Sequence, residues 1–241
     1  MDDIKKLQKL IDESNNIVFF GGAGVSTESG IKDFRGKNGL YKIKQNPNSS
    51  ISPEYMLSSK CLFNEPLKFF NYYRNNMNCL DAKPNGTHKY LKKLEDMGKL
   101  KAIVTQNIDG LHQKAGSKNV FEIHGTMSNC YCMNCRKEYV GDYIFKTTGI
   151  PKCECGGIIR PNIVLYGEML TEAYSMASYY ILHADLMIVA GTSLTVEPAS
   201  GMLKLFNGKH LVIINDTPTP YDDIAELVIN KPLKKVFGKL K

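Results

Sequence analysis

The sequence lacks long apolar runs, low-complexity tracts and internal repeats. In its 241 residues, no Pro, Ser or Gly tract is long enough to indicate disorder. No apolar stretch approaches the roughly 20 residues of a membrane-spanning helix. The N-terminal stretch also lacks the unbroken apolar core of a signal peptide, because its apolar residues form a helical stripe among charges: Ile4, Leu7, Leu10 and Ile11. These absences predict a cytoplasmic protein with no membrane partner.

The chain also lacks the pattern expected of a nucleic-acid-binding protein. Its formal net charge is +7. Much of that excess lies in the last eleven residues, at Lys231, Lys234, Lys235, Lys239 and Lys241. A nucleic-acid surface would need a basic face with interleaved aromatic residues, which the sequence does not show. We interpret the tail as a solvated segment and predict no nucleic-acid partner.

Short apolar runs alternate with amphipathic stretches along most of the chain. The runs predict strands buried on both faces at residues 16–20, 101–105, 119–123, 185–190 and 210–214. The amphipathic stretches predict helices at residues 86–98, 108–115, 171–183 and 197–206. This alternation is typical of an α/β fold with a Rossmann-like, doubly wound parallel sheet. The chain is too short for two ordinary domains, so we expect one main domain with insertions.

Two segments interrupt the alternation. Residues 36–84 combine a polar loop, KIKQNPNSSISP, with an apolar and aromatic helix around EPLKFFNYYRNNM, which predicts a helical module with a flexible loop. Residues 127–162 contain a cysteine cluster and little apolar periodicity, so they need something other than a core to hold them together. Residues 1–35, 85–126 and 163–241 would then form the main domain.

The first predicted strand leads directly into the glycine-rich turn GGAGVSTESG. Gly21, Gly22 and Gly24 would let the backbone approach a ligand, and N–H groups of the turn would hold the pyrophosphate of a dinucleotide. The third glycine of the GxGxxG pattern is replaced by Thr27. A tight turn that needs small residues therefore stays open as an alternative.

Polar residues follow two later strands, in the motifs TQNIDGLH and FEIHG. The carboxyl ends of parallel strands share one edge of the sheet with the glycine turn, and such folds bind ligands there. Asn107 and Asp109 would offer an amide and a carboxylate to a nicotinamide, and His124 would act as a base near its ribose. A lone histidine is more often structural, but the position of His124 between a strand end and Gly125 favours a functional role.

Five of the seven cysteines lie between Cys130 and Cys155. Two close groups, CYCMNC and CEC, are typical of tetrahedral zinc bound by four thiolates. Cys130 competes for a ligand position, but a CxxC turn reaches one metal readily, so we assign the ligands as Cys132, Cys135, Cys153 and Cys155. A shell closed by protein leaves no position for water, so the zinc is predicted to be structural. Cys61 and Cys79 are interpreted as packing residues.

The sequence resembles the sirtuin family of NAD-dependent protein lysine deacylases in its motifs GAGVSTESGIKDFRGKNGLY, TQNIDGLHQKAG, FEIHGTMSNCYCMNC, RPNIVLYGE, GTSLTVEPA and IND. The motifs match in order from about residue 17 to about residue 229. The resemblance implies a Rossmann-like large domain and a small lobe made of the zinc-binding and helical modules. NAD and an acetyl-lysine peptide would enter the cleft between them from opposite sides, with the flexible loop of the helical module contacting the cofactor.

The same resemblance implies a role for each matching residue. The phosphates of NAD would lie against Gly22, Ala23 and Gly24, and Phe34 and Arg35 would cover the nicotinamide ribose. The nicotinamide pocket would be lined by Gln106, Asn107, Ile108 and Asp109. Gly191 would also contact the cofactor, with Ser193 and Asn215 on its adenosine side.

The family clamps the peptide backbone between two segments by strand addition. The matching residues here are Val164, Leu165, Tyr166, Gly167 and Glu168 in one segment, and Leu194 and Val196 in the other. Acetylated lysine-containing proteins or peptides are therefore the expected substrates. The oligomeric state is left open.

The chemistry implied by the resemblance begins with departure of nicotinamide, after which the acetyl-lysine oxygen, held in line, captures the ribose. His124 then takes a proton from the ribose hydroxyls so that the 2′ oxygen attacks the imidate carbon. Asn107 would be the second catalytic residue. Water completes the transfer, and the products would be lysine, nicotinamide and O-acetyl-ADP-ribose. An imidazole base must be neutral, so activity should fall below a pKa of about 6.5.

Four other functions share parts of this pattern. An ADP-ribosyltransferase would use the same NAD site, but the peptide-clamping motifs favour a deacetylase. A binding module without turnover is disfavoured by the presence of Asn107 and His124, and a dehydrogenase by Thr27 and the zinc module. A deacylase for other acyl groups also stays open. Sirtuins that prefer succinyl or malonyl lysine resemble one another in carrying tyrosine and, three residues on, arginine, where an ungapped alignment places Phe70 and Tyr73.

Overall fold

The computed structural model describes residues 2–36, 39–41 and 52–241. Its strands, in chain order, are β1 Ile17–Gly21, β2 Leu100–Thr105, β3 Val120–Glu122, β4 Gly125–Cys132, β5 Glu138–Val140, β6 Ile159–Ile163, β7 Leu186–Ala190, β8 His210–Ile214 and β9 Leu227–Ile229. Its α-helices are α1 Asp3–Glu13, α2 Pro53–Met56, α3 Ser59–Asn64, α4 Pro66–Met77, α5 Gly86–Asp96, α6 Leu111–Lys114, α7 Tyr143–Lys146, α8 Ala173–Leu182 and α9 Leu233–Phe237. Most of the predicted flexible loop, at residues 42–51, lies outside the described residues.

A six-stranded sheet with the order β3-β2-β1-β7-β8-β9 forms the centre of the fold. Each neighbouring pair in it is parallel. The chain runs outward from β1 to β3 on one side, then returns to the middle and continues from β7 to β9 on the other. This is the doubly wound arrangement, and its ligand crevice lies where the order reverses, between β1 and β7. The predicted fold class is confirmed.

Alternating strand residues feed two cores, one on each face of this sheet. Phe19 points to the face covered by α1, α5 and α9, and Phe20 points to the face covered by α8 and a 3₁₀ helix at Ser200–Leu205. Both faces of β1 and β7 are buried along their length. The predicted apolar stripe of α1 is buried as well. The uninterrupted apolar character of these strands follows from burial on both sides.

The predicted elements correspond to observed ones, with differences at their ends. The predicted helix 108–115 is reduced to α6, because Gly110 has a left-handed φ of 68° immediately before it. The predicted helix 197–206 is a 3₁₀ helix over Ser200–Leu205, where Ser200 and Gly201 are weak α-helix formers. Strand β9 has no counterpart in the prediction. No helix in the described ranges is long and apolar enough to cross a membrane.

A second, antiparallel sheet with the order β5-β4-β6 carries the cysteine cluster. Its apolar residues share a core with α2, α3 and α4, in which Phe69, Tyr73 and Phe145 stack at centroid distances of 5.9 and 5.4 Å. The expectation that residues 127–162 lack a core is therefore wrong, because the aromatic face of α4 supplies its other half. The domain boundaries themselves remain a prediction.

Candidate active site

A cleft with a volume of about 1450 Å³ opens at the carboxyl ends of β1, β2, β7 and β8. The last turn of α4 and the residues after β6 form other parts of its wall. The predicted site residues that line it are Ala23, Gly24, Phe34, Arg35, Gln106, Asn107, Ile108, Asp109, His124, Val164, Leu165, Tyr166, Gly167, Glu168, Gly191, Ser193, Val196 and Asn215. Gly22 and Leu194 are buried behind this wall.

The glycine turn after β1 packs tightly against the turn after β7. A Cβ atom on Gly22 would lie 2.7 Å from Cβ of Thr192, and one on Gly24 would lie 2.7 Å from Cα of Gly191. The Gly24 N–H donates to the Gly191 carbonyl at 2.8 Å. Absence of side chains is thus required for the two turns to approach each other. The chain continues in 3₁₀ helices, Ala23–Val25 and Thr27–Ser29, where a GxGxxG turn would begin an α-helix.

Ser26 joins the two polar residues of the TQNIDGLH motif. Its hydroxyl donates to Asp109 Oδ2 at 2.6 Å and accepts from Asn107 Nδ2 at 3.1 Å. The other carboxylate oxygen of Asp109 accepts from the Leu111 N–H at 2.9 Å. This network holds an amide and a carboxylate in fixed orientations at the cleft wall. Ser26 was not predicted from the sequence, although a small polar residue two positions after Gly24, at the shared strand edge, was a usable signal.

The backbone of Gln106 determines the chemical form of His124. Nδ1 of His124 lies 3.0 Å from the Gln106 carbonyl oxygen. Because a carbonyl oxygen only accepts hydrogen bonds, Nδ1 carries the proton of the neutral ring and Nε2 keeps a free lone pair. Burial lowers the pKa of His124, and the Gln106 carbonyl raises it by less. The ring is therefore neutral near pH 7, in the form that a base requires.

Glu122 is a second titratable group close to His124 in the chain, and the sequence analysis did not single it out. It ends β3, and Oε1 is buried without a hydrogen-bond partner among the described residues. Burial raises the pKa of Glu122 to about 7, and the neighbouring polar side chains of Thr126 and Gln113 lower it by less. Its carboxyl group therefore changes charge near neutral pH.

Four cysteine sulfurs form one group beside the small sheet. The Sγ atoms of Cys132, Cys135, Cys153 and Cys155 all lie within 4.8 Å of one another. The distances are 3.4 Å from Cys132 to Cys155 and 3.6 Å from Cys135 to Cys153. Sulfurs at about 2.3 Å from a tetrahedral zinc ion are about 3.8 Å apart, so the group fits zinc. Cys130 lies outside it, with its Sγ 3.3 Å from the Val140 carbonyl oxygen.

Neighbouring groups favour the thiolate form, which zinc needs, at two of the four cysteines. The Tyr139 hydroxyl donates to Cys153 Sγ at 3.0 Å and is the main cause that lowers the pKa of Cys153 to about 6. The Cys135 N–H is the main cause of a lowered pKa at Cys132. Gly157 packs directly against the cluster, where a Cβ atom would lie 2.6 Å from Cys132 Sγ. The chain can therefore turn closely around the cluster.

The profile of the Sir2 family matches residues 22–198. The chain belongs to the Sir2 family. One relative is an NAD-dependent protein deacetylase of Clostridium acetobutylicum, which is 53% identical over 98% of this chain and 97% of the relative. The enzyme of Clostridium perfringens is 51% identical over 100% of this chain and 99% of the relative. The resemblance read from the sequence motifs is confirmed.

Solved structures share the whole fold. A Sir2 complex with a p53 peptide and NAD⁺ has a TM-score of 0.86 and 38% identity, covering 98% of this chain and 96% of that one. A Sir2 variant with a deacetylated p53 peptide and 3′-O-acetyl ADP-ribose has a TM-score of 0.90 and 39% identity, with the same coverage. The cleft described above therefore belongs to the Sir2 fold.

The helix α4 of this Sir2 protein contributes its last turn to the cleft. Asn75, Asn76 and Met77 line it. Arg74 faces elsewhere, because its guanidinium donates to the carbonyls of Ile144 and Gly149, each at 2.8 Å. Phe70 and Tyr73 are buried in the small-lobe core and are not among the lining residues. The part of the cleft wall formed by α4 is thus uncharged.

Proposed function

We propose that this chain is an NAD-dependent protein lysine deacetylase, which transfers the acetyl group of acetyl-lysine to ADP-ribose and releases nicotinamide. The observation that carries the proposal is a neutral His124 with a free Nε2 in the same cleft as the glycine turn and the Ser26–Asn107–Asp109 network. The relatives named NAD-dependent protein deacetylases support it over their full length.

The residues of the cleft fit NAD. Ala23 and Gly24 would hold its phosphates, Phe34 and Arg35 would cover the nicotinamide ribose, and Gln106, Asn107, Ile108 and Asp109 would contact the nicotinamide. Gly191, Ser193 and Asn215 would hold the rest of the cofactor. When bound, NAD supplies an electrophilic ribose carbon. Asn107 then orients the nicotinamide amide, and His124 Nε2 accepts a proton from a ribose hydroxyl.

The peptide would add as a strand between residues 164–168 and the segment that contains Leu194 and Val196. In this arrangement the protein would hold the acetyl-lysine in line with the ribose. The four-cysteine group would hold one structural zinc ion, because it leaves no position for substrate. We also propose a cytoplasmic location, since a thiolate zinc site needs a reducing compartment.

The test is incubation of the protein with NAD and an acetylated peptide, followed by mass spectrometry of the peptide and nucleotide products. Deacetylated peptide together with O-acetyl-ADP-ribose would support the proposal. An ADP-ribosylated peptide or protein with the acetyl group retained would support an ADP-ribosyltransferase. Free ADP-ribose without loss of acetyl groups would exclude both transfers.

The acid limb of the pH profile is expected below the ordinary histidine pKa of about 6.5. Burial lowers the pKa of His124, so the ring stays neutral to a lower pH than a free histidine. As the pH falls through the lowered value, Nε2 gains a proton and the base is lost. The measurement is kcat/KM for acetyl peptide from pH 5 to 8.

Glu122→Gln is the control for this profile, because the pKa of Glu122 is raised to about 7 and the residue lies two positions before His124 in the chain. A Gln side chain cannot titrate but has a similar shape. An acid limb that persists in the variant assigns the titration to His124. If the limb disappears in Glu122→Gln, the assignment to His124 is wrong.

Acetyl-lysine is expected to be preferred over succinyl-lysine. A succinyl carboxylate would find no cation on α4. Phe70 and Tyr73 occupy the two positions where succinyl-preferring sirtuins carry tyrosine and arginine, and Arg74 is bound to backbone carbonyls. Losing a charge-assisted hydrogen bond costs about 1.5 to 3 kcal/mol, so the ratio of catalytic efficiencies should be on the order of tenfold or more. The measurement is kcat/KM on matched acetyl and succinyl peptides.

Asn75→Arg is a gain-of-function control for acyl preference. It adds a cation at a position that lines the cleft, so it should raise efficiency on the succinyl peptide relative to the acetyl peptide. Equal or better efficiency of the unmodified protein on succinyl peptide would mean that Arg74 reaches the acyl group.

A further inference from the structure

Arg160 and Glu168 form a two-point ion pair beside the cleft. Nη1 of Arg160 lies 2.6 Å from Glu168 Oε1, and Nη2 lies 2.9 Å from Oε2. The Arg160 side chain, in β6, is only 7% exposed. Its guanidinium also lies 5.8 Å from the ring centre of Tyr131, its neighbour across the strand pair β4–β6. A charge so deeply buried in the small sheet needs a specific role to explain it.

The ion pair also binds the backbone of the segment between its two residues. Arg160 Nη2 donates to the Ile163 carbonyl at 2.8 Å, and the Leu165 N–H donates to Glu168 Oε2 at 2.9 Å. The Glu168 N–H donates back to the Leu165 carbonyl at 3.0 Å. The side chains of Arg160 and Glu168 therefore restrain the backbone between residues 163 and 168 by direct hydrogen bonds.

Two hydrogen bonds fix the outer side of this segment. The Val164 N–H donates to the His124 carbonyl at 2.8 Å, and the Tyr166 N–H donates to the Leu57 carbonyl at 3.0 Å. The segment thus touches the backbone of His124 on one side and the end of α2 on the other. Its conformation links the small sheet to the wall of the cleft.

We propose that Arg160 and Glu168 are positioning residues that hold residues 164–168 in the conformation in which this segment receives the peptide backbone. The inference rests on the proposed function, in which a peptide adds as a strand to this segment. Strand addition loses less conformational entropy when the receiving strand is already fixed. An apolar pair of similar volume would often be equally stable. It could not make the directed bonds to Ile163 and Leu165, so the charges serve conformation more than stability.

The carboxylate of Glu168 is the ionised partner that this arrangement needs. Burial raises its pKa, but the hydrogen bonds from Arg160 and the Leu165 N–H outweigh that effect and hold the pKa below its ordinary value. Although Glu168 lines the cleft, its oxygens are bound inward. We therefore expect it to act on the peptide through the segment's backbone.

The test compares steady-state kinetics of four variants. Glu168→Ala and Arg160→Met should raise KM for the acetyl peptide on the order of tenfold or more, since each removes charged hydrogen bonds. KM for NAD should stay within about twofold, and kcat should change less than KM for the peptide. Glu168→Gln and Arg160→Lys keep part of the bonding and should give intermediate peptide KM values.

The matched control is Glu13→Gln. It breaks the Lys9–Glu13 pair, whose side chains are 62% and 56% exposed and whose N–O distance is 3.7 Å. An exposed pair of this kind contributes little, so all constants should match the parent protein. Thermal unfolding of each variant distinguishes a repositioned segment from an unfolded protein.

The rate of hydrogen exchange at the Leu165 amide measures how firmly the segment is held, independently of catalysis. In the ligand-free protein this rate should be higher in Glu168→Gln and Arg160→Lys than in the parent protein, while the exchange rates of the β1 amides should not change. A parent protein that shows no deacetylation would reject the proposed function, while this exchange would still decide the role of the pair. If the variants are folded and show neither faster exchange at Leu165 nor a higher KM for the peptide, the inference is wrong. It is also wrong if KM for the peptide and KM for NAD rise equally.

Discussion

Replacing His124 with alanine is expected to abolish deacetylation while leaving NAD binding largely intact. General base catalysis contributes about 10²- to 10⁴-fold to rate, so kcat should fall by at least about 100-fold. In the proposed mechanism the side chain acts on a proton through Nε2, whereas the turns after β1 and β7 and residues 106–109, which line the cleft, would hold most of the cofactor. The measurement is kcat with saturating NAD and acetyl peptide, together with the dissociation constant of NAD.

The protein contains a matched control for this substitution. Nδ1 of His183 lies 2.7 Å from the Tyr179 carbonyl, the same kind of hydrogen bond that His124 makes with Gln106. His183 is exposed at the end of α8, outside the cleft. His183→Ala should leave kcat unchanged. Turnover near the parent level in His124→Ala would remove that histidine from the mechanism.

The large sheet could be predicted from the sequence because its strands are buried on both faces. The run IVFF at residues 17–20 has no polar position, and this absence signals a central parallel strand. Strand β9 gave no such signal, because only three residues pair, at Leu227–Ile229, and they do so at the sheet edge. The small-lobe core was not predicted because its two halves, α4 on one side and the strands β4 and β6 on the other, are far apart in sequence.

The location of the site could be predicted from the order of the strands and motifs, but the contacts within the site could not. The topology brings strand ends together, so the motifs after β1, β2 and β3 were predicted to meet. The glycines were expected to admit a ligand, but Gly22 and Gly24 are required by contact with Gly191 and Thr192. Hydrogen bonds such as Ser26 to Asp109, across 83 positions, and the burial that shifts the pKa of Glu122 depend on the folded chain.

The choice between Cys130 and Cys132 could not rest on strand periodicity. Both belong to β4 and, two residues apart, point to the same face. Their surroundings differ: Cys132 ends the strand beside the cluster, while Cys130 lies under Tyr139 and Val140 of β5. Chain position relative to the turn thus decides which thiol reaches the metal.

We expect about one tightly held zinc ion per chain and loss of it in Cys132→Ser. The four-sulfur group would then lack one ligand, and because metal binding and folding of a small module are coupled, stability and activity should fall together. The thermal midpoint should drop by about 5 °C or more. Cys135→Ser should behave in the same way. The measurements are zinc content after dialysis against a chelator and thermal unfolding.

Cys130→Ser is the matched comparison, since it makes the same atomic change two residues away on the same strand. Its sulfur is buried against the carbonyls of β5 and lies outside the four-sulfur group. The variant should keep its zinc and lose less stability than Cys132→Ser, because only a packing contact and a weak thiol hydrogen bond change. Zinc loss in Cys130→Ser combined with full zinc in Cys132→Ser would reverse the assignment of the two cysteines.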